Sequence, residues 1–131
     1  MVVLDTTFIV ELLNNKQRAL YKAKVLSSPT RTTRLNVYEI LVGIYHKNTS
    51  EVDKALEIFN DFLSGVEVLE LDSRSTDQAA RISAELRRRG NMVADNDVLI
   101  AGIALANGEN VILTQNTKDF SKIKGIKVES Y

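Results

Sequence analysis

Val2-Val3-Leu4-Asp5-Thr6-Thr7 is the stretch that decides the fold of this chain. A short apolar run with β-branched residues predicts a strand buried on both faces. The run ends on a carboxylate, Asp5, which could equally cap the helix that follows. In an open α/β sheet, ligands bind beyond the carboxyl ends of the strands. Asp5 is therefore a candidate for the floor of an active-site crevice.

Further apolar runs predict an alternation of strands and helices along the chain. The later strands are predicted at 30–33, 66–71, 111–114 and near 126–128. Helices are predicted between them, including a long one at 73–89 and a deeply buried one at 95–106. This alternation predicts a three-layer α/β/α sandwich around a mostly parallel sheet of four to five strands. The length of 131 residues predicts a single domain over 1–131.

The composition excludes several kinds of site. Lys plus Arg and Asp plus Glu balance at 17 each, so any nucleic acid must be held by local basic patches. The absence of Cys excludes thiolate metal sites and Cys nucleophiles, and one His leaves little room for zinc or Ser-His-Asp chemistry. No apolar run approaches membrane-spanning length, and no signal peptide is visible, which predicts a cytoplasmic protein.

Acidic and amide side chains recur where the carboxyl edge of the predicted sheet would gather them. Asp5 ends the first strand, Glu39 lies at the start of a helix, and Asp97 begins the buried helix. Asn116 follows the strand at 111–114. Carboxylate and amide oxygens are hard ligands suited to Mg²⁺ or Mn²⁺. Such ions can activate a water and neutralise a phosphodiester, so the pattern favours a metal site.

Each of these residues also has a structural explanation. Asn36 as an N-cap would make Glu39 the N3 residue of a capping box. Asp95 occupies the N-cap position predicted for the buried helix, and Asp97 would favour its macrodipole. Asn116 is an ordinary turn residue. Capping explains each residue separately, but it does not explain why acids occur at all three places together.

Four motifs, in this order and spacing, resemble those of the PIN domain family and specifically its VapC-type toxin ribonucleases of toxin–antitoxin pairs. They are Val3-Leu4-Asp5-Thr6, Asn36-Val37-Tyr38-Glu39-Ile40-Leu41-Val42-Gly43, Asp97-Val98-Leu99-Ile100-Ala101 and Thr114-Gln115-Asn116-Thr117-Lys118-Asp119-Phe120. The resemblance covers nearly the whole chain. It implies a PIN-like fold and a metal-dependent endoribonuclease, the toxin of a type II pair, that hydrolyses RNA phosphodiester bonds.

Carried over by position, the resemblance implies that Asp5, Glu39 and Asp97 bind Mg²⁺ or Mn²⁺. Thr6 would add a hydroxyl near the site. The fourth family position, often Asp, is Asn116 here, whose amide would assist without supplying charge. The resemblance also implies three partners: an RNA substrate, a VapB-like antitoxin whose C-terminal segment covers the acidic groove, and a second copy of the chain.

Two further positions bear on how closely the chain follows the family pattern. Asp119, three residues after Asn116, is a possible substitute for the missing fourth acid. Gly102 stands where the family usually has a small residue such as Ala. Candidate phosphate contacts are Arg31, Arg34 and Lys118. For Lys118, which begins a run of lysines, a solvated surface is the default explanation and a phosphate contact the second.

Two other functions stay open at this point. A receiver-like signalling domain also gathers carboxylates at strand ends, with Asp72 as the phosphoacceptor, although it usually has two adjacent acids after its first strand. A catalytically inactive PIN-fold module that binds RNA or an antitoxin would result if Asn116 abolishes catalysis.

Overall fold

The computed structural model describes residues 2–26 and 29–131 of the chain. Its strands are β1 (Val2–Leu4), β2 (Thr30–Thr33), β3 (Glu67–Leu69), β4 (Val111–Leu113) and β5 (Lys127–Glu129). Its helices are α1 (Thr6–Leu13), α2 (Gln17–Val25), α3 (Arg34–Tyr45), α4 (Thr49–Leu63), α5 (Ser73–Arg88), α6 (Asp95–Ala106) and α7 (Thr117–Phe120). No helix in this part of the chain is long and apolar enough to span a bilayer.

The strands form one five-stranded sheet in which every pair of neighbours is parallel. The order across the sheet is β3-β2-β1-β4-β5, and Val3 of β1 lies between Arg31 of β2 and Ile112 of β4. From β1 the chain builds outward to β2 and β3, whereas β4 and β5 lie on the other side. The sheet therefore has a switch point between β1 and β4, and crevices form at such points beyond the carboxyl ends of the strands.

Strand β1 supplies apolar side chains to both faces of the sheet. Val3 is completely buried and joins a cluster formed mainly with α5 and α6. Val2 and Leu4 join the opposite cluster, which is formed with α1, α3 and α4. Successive side chains of a strand point to opposite faces, so helices cover the sheet on both sides. The predicted three-layer sandwich around a parallel sheet is confirmed.

Helices α5 and α6 approach each other closely at Gly102. A Cβ atom on Gly102 would lie 2.7 Å from the Cβ of Ala79 and 2.8 Å from its backbone nitrogen. This close contact explains why glycine stands where the family resemblance favours alanine. It also fixes the position of α6, whose first turn carries Asp97.

The N-cap residues of two helices differ from those predicted. The N-cap of α3 is Thr33 rather than Asn36, and Asn36 is the N3 residue of the resulting capping box. The N-cap of α6 is Ala94, so Asp95 is the first helical residue and not the cap. The predicted N-cap positions of Asn36 and Asp95 are therefore wrong, although Asn36 still takes part in the capping box of α3. Glu39, one turn further along α3, is released from the capping role considered for it.

Candidate active site

A cleft of about 460 Å³ opens beyond the carboxyl ends of β1 and β4. Its walls come from the start of α1, the second turn of α3, the first turn of α6 and the loop after β4. It is lined by Asp5, Thr6, Thr7, Glu39, Ala94, Asp95, Asn96, Asp97 and Asn116. The structure thus brings together the four residues predicted as catalytic, although they lie far apart in the sequence.

Asp5 lies at the floor of this cleft and is only 4% exposed. It occupies the N-cap position of α1, but its side chain makes no capping hydrogen bond. Its Oδ1 accepts from Asn36 Nδ2 at 2.9 Å and its Oδ2 from Thr114 Oγ1 at 2.6 Å. Burial raises the pKa of Asp5 above its usual value, and these hydrogen bonds oppose that shift. The carboxylate is therefore held toward the cleft by its neighbours instead of capping the helix.

Glu39 projects into the cleft from α3. Its Oε1 accepts a hydrogen bond of 2.6 Å from Thr6 Oγ1, and its Oε2 accepts one of 3.3 Å from Asn96 Nδ2. A capping role would require Glu39 to bond to the backbone at the start of its own helix, but neither partner belongs to α3. The proximity of this negative charge also raises the pKa of Asp5.

Asp97 is half-buried on the opposite wall. Burial and the negative charges of Asp5, Glu39 and Asp119 raise its pKa to about 6. Asn116 Nδ2 donates to Asp97 Oδ2 at 2.9 Å and opposes this shift. The amide thus orients the carboxylate. Asp119 does not line the cleft, and its negative charge contributes to the raised pKa of Asp97.

Within the described residues, the three carboxylates have no cationic partner. In residues 2–26 and 29–131, no Lys, Arg or His forms an ion pair with Asp5, Glu39 or Asp97. Nor do any three His, Asp or Glu side chains in those ranges already stand in an arrangement that would hold a metal ion. Each carboxylate is instead bonded to neutral hydroxyl or amide donors. The uncompensated charge and the hard oxygen donors suit a divalent cation such as Mg²⁺, whose binding would exchange some of these hydrogen bonds for ligand bonds.

The predicted phosphate contacts are arranged differently from expectation. Arg31 forms ion pairs of 2.8 Å with Glu67, at the start of β3, and with the buried Glu109, which precedes β4. These partners hold its guanidinium toward the amino ends of the strands and away from the cleft. This placement contradicts the expected role of Arg31, because the opposite edge of the sheet carries the acids.

Arg34 and Lys118 lie at the carboxyl side of the sheet. Arg34 makes a bidentate pair with Glu70, at 2.9 Å from Nε and 2.5 Å from Nη2, so its charge is already compensated. It does not line the cleft. Lys118 is exposed on α7, two residues after Asn116. Lys118 does not line the cleft either, but among residues 2–26 and 29–131 it is the one of the three predicted cations that forms no ion pair.

The phosphoacceptor considered for a receiver-like domain lies elsewhere. Asp72 follows β3, at the edge of the sheet, and caps α5 by accepting from the backbone N–H of Ser75 at 2.9 Å. It does not line the cleft. Its capping role is sufficient to explain its position.

Sequence reasoning selected Thr6 and Asn116 but missed three other neutral residues that hold the carboxylates. Thr114 is completely buried at the end of β4, where its hydroxyl donates to Asp5 and accepts from the N–H of Asn116 at 2.8 Å. Asn36 and Asn96 have similar roles toward Asp5 and Glu39. The reasoning that selected Asp5, a polar residue ending a buried strand, would also have found Thr114.

A family model and named relatives match nearly the whole chain. The family model described as "PIN domain" matches residues 2–126. The chain is 28% identical to a protein of Salmonella typhimurium named "tRNA(fMet)-specific endonuclease VapC", over 98% of this chain and 96% of that one. It is 26% identical to "Ribonuclease VapC2" of Rickettsia felis, with the same coverage.

Solved structures show the same fold. The DNA-bound VapBC complex of Salmonella typhimurium contains a chain that superposes with a TM-score of 0.86 at 28% identity, covering 98% of this chain and 96% of that chain. VapBC2 of Rickettsia felis, bound to a DNA fragment from its promoter, gives a TM-score of 0.88 at 21% identity, covering 100% of this chain and 99% of that chain. At that identity the second likeness is evidence of the fold alone.

Proposed function

The chain belongs to the PIN domain family, and on that premise we propose that it is a metal-dependent endoribonuclease, the toxin of a type II toxin–antitoxin pair. Its metal ligands are Asp5, Glu39 and Asp97, and Asn116 assists them. The observation that carries this proposal is the convergence of three carboxylates in one cleft, where no cation of the described part of the chain pairs with them. The ribonuclease and endonuclease names of relatives matched over nearly their whole length support the same reaction.

The resident metal would be Mg²⁺ or Mn²⁺, held by Asp5, Glu39 and Asp97. Bound there, such an ion supplies a Lewis acid that lowers the pKa of a water and offsets the charge of a phosphodiester. The chain's own residues set the geometry: Asn116 holds Asp97, and Thr6 holds Glu39. Hydrolysis of the RNA backbone then leaves a 3′-hydroxyl and a 5′-phosphate.

The chain has no net charge, so it does not attract RNA through an overall positive charge. The phosphates of the RNA are therefore bound by individual cationic side chains. Lys118 supplies one such contact beside Asn116. Arg31 and Arg34 are not included, since acidic partners already neutralise them. We propose that the enzyme acts on cellular RNA in the cytoplasm and that residues 1–131 form a single domain.

We propose that an antitoxin resembling VapB binds in an apolar groove beside the cleft. This groove, of about 530 Å³, runs between α1, α3 and α4, and its lining includes Val10, Ile40, Ala55 and Ile58. Glu39 lines both the groove and the acidic cleft. A segment of the antitoxin seated in the groove would therefore reach the carboxylates and block access of RNA. The homodimer implied by the family is tested by measuring the mass of the isolated protein in solution.

Cleavage of a structured RNA by the purified protein tests the proposed function. Cleavage is expected with Mn²⁺, is expected to stop with EDTA, and is expected to be absent in Asp5→Asn, which removes a ligand charge without changing side-chain shape. Asp77→Asn is the matched control, because Asp77 is an exposed residue of α5 outside the cleft. Cleavage that persists in Asp5→Asn would mean that a contaminant or another site is responsible.

A further inference from the structure

Asn36 is a completely buried amide that uses both ends of its side chain. Its Oδ1 accepts from the backbone N–H of Thr33 at 3.2 Å and from Thr33 Oγ1 at 2.7 Å. Its Nδ2 donates to Asp5 Oδ1 at 2.9 Å and to Thr6 Oγ1 at 3.0 Å. One side chain thus joins the start of α3 to the end of β1 and the start of α1.

The chemistry of the neighbours fixes the orientation of this amide. The backbone N–H of Thr33 can only donate, so the atom facing it must be the carbonyl oxygen. The NH₂ group consequently faces Asp5 and Thr6. The hydroxyl of Thr6 has one proton, which it donates to Glu39 Oε1 at 2.6 Å, and it can therefore accept from Asn36. The donors run in one direction, from Asn36 to Asp5 and through Thr6 to Glu39.

The capping box alone does not require an amide at this position. A serine at N3 completes the second capping box of the chain, where Ser75 closes α5 with Asp72. A carboxylate at position 36 would accept from Thr33 but would face Asp5 with a like charge. A hydroxyl has only one proton and could not donate to both Asp5 and Thr6. An amide is the side chain that caps α3 and supplies both donors.

We infer that Asn36 is a positioning residue for the metal site: it orients the carboxylate of Asp5 directly and that of Glu39 through Thr6. This inference rests on the proposed function and adds to it a residue that touches neither metal nor RNA. Removing a side chain that hydrogen-bonds to a metal ligand and holds it in place commonly weakens metal binding about 10–100-fold.

Calorimetric titration of the RNA-free protein with Mn²⁺ tests the inference independently of catalysis. Asn36→Ala is expected to weaken Mn²⁺ binding by about tenfold or more. Ser75→Ala is the matched control, because it removes a completely buried N3 side chain from the other capping box, outside the cleft. Both variants should lower the melting temperature, but only Asn36→Ala should change the affinity for Mn²⁺.

Thr6→Val gives a second, independent measurement. It removes the hydroxyl between Asn36 and Glu39 while keeping the shape of the side chain, and it leaves the capping box intact. Thr6→Val should also weaken Mn²⁺ binding, and the effects of the two substitutions should be less than additive because they break the same chain of hydrogen bonds. If Asn36→Ala fails to fold, Thr6→Val decides alone, and wild-type affinity in that variant would overturn the inference.

The failure of this inference is distinguishable from the failure of the proposed function. A wild-type protein that neither binds Mn²⁺ nor cleaves RNA contradicts the proposed function. A wild-type protein that does both, together with an Asn36→Ala variant of equal Mn²⁺ affinity, overturns the positioning role of Asn36 alone.

Discussion

Replacing Asp97 with asparagine is expected to abolish RNA cleavage and, in the absence of metal, to stabilise the fold. The carboxyl has a pKa of about 6 instead of 3.8, because it is partly buried among the charges of Asp5, Glu39 and Asp119. The folded protein therefore binds this proton more tightly than the unfolded chain does. In consequence, the ionised form destabilises the folded state at neutral pH.

The magnitude follows from the two pKa values. A difference from 3.8 to about 6 corresponds to roughly 3 kcal/mol at pH 7, and screening of a half-exposed group reduces this to about 1.5 kcal/mol. For a chain of this size, that is a rise of about 5 °C in melting temperature. The asparagine oxygen can still accept the hydrogen bond from Asn116, so the local geometry is kept.

The assay is denaturation with EDTA at pH 7 and pH 5. The destabilisation is complete above pH 6 and is lost as the pH falls toward 3.8, so roughly half of the difference should remain at pH 5. Asp95→Asn is the matched control: it removes an exposed carboxylate from the first turn of the same helix. Losing its interaction with the macrodipole should slightly destabilise the protein, by about 0.5 kcal/mol.

Adding metal should reverse the order of stability. At a Mn²⁺ concentration about 100 times the dissociation constant, the wild type gains about 2.7 kcal/mol, which exceeds the advantage of the variant. The reasoning is refuted if Asp97→Asn is no more stable than the wild type at pH 7 in EDTA. It is also refuted if Asp95→Asn loses RNA cleavage to the same extent as Asp97→Asn.

Three further substitutions test the supports of the site. Thr114→Val removes the proton donor to Asp5 and leaves the N–H of Asn116 unpaired, so urea denaturation should give a loss of about 1–3 kcal/mol; an unchanged midpoint would contradict this. Asn116→Asp places a fourth carboxylate beside Asp97, and it should lower stability in EDTA at pH 7 and add a second Mn²⁺ per chain in calorimetry. Gly102→Ala should destabilise the protein by about 1–3 kcal/mol, because the added methyl group overpacks against α5. In an exposed helix the same substitution would stabilise by about 1 kcal/mol. A gain in melting temperature would therefore contradict the close contact between α5 and α6.

The sheet and the acids of the cleft were predictable because they depend on local pattern. The run Val2–Leu4 is apolar throughout, and such a run predicts a strand covered on both faces, which the structure confirms. Asp5 follows from the same run, since the carboxyl end of a central strand faces the crevice. The apolar stretch of α6 likewise predicts a buried helix with Asp97 at its start.

The start of α3 was not predictable from local pattern, because the sequence contains two overlapping capping boxes. Thr33 with Asn36 and Asn36 with Glu39 have the same spacing and similar stabilising energies of about 1 kcal/mol. In the structure, Asn36 also bonds to Asp5, which lies 31 positions earlier. A contact of that range favours the first box, and no local window contains it.

The ion-pair partner of Arg31 was also not predictable, because it lies far from Arg31 in the sequence. In the sequence, Arg31 lies close to Glu39, and this proximity suggested a phosphate contact near the site. Strand direction reverses that expectation, because Glu109 is 78 positions away and lies before β4, at the opposite edge of the sheet. Sequence proximity to a catalytic residue is a poor guide when a strand and a helix start intervene.

The neutral character of the donors around the carboxylates has its own consequence for regulation. Asp5, Glu39 and Asp97 receive hydrogen bonds from hydroxyls and amides, whereas Arg31 and Arg34 are paired with acids elsewhere. An internal cation among these carboxylates would compete with a metal ion for their charge. Neutral donors orient the carboxylates and leave that charge uncompensated, so it can attract a divalent cation. The same uncompensated charge would attract a cationic side chain from the antitoxin, and such a group entering from the apolar groove would meet Glu39 first.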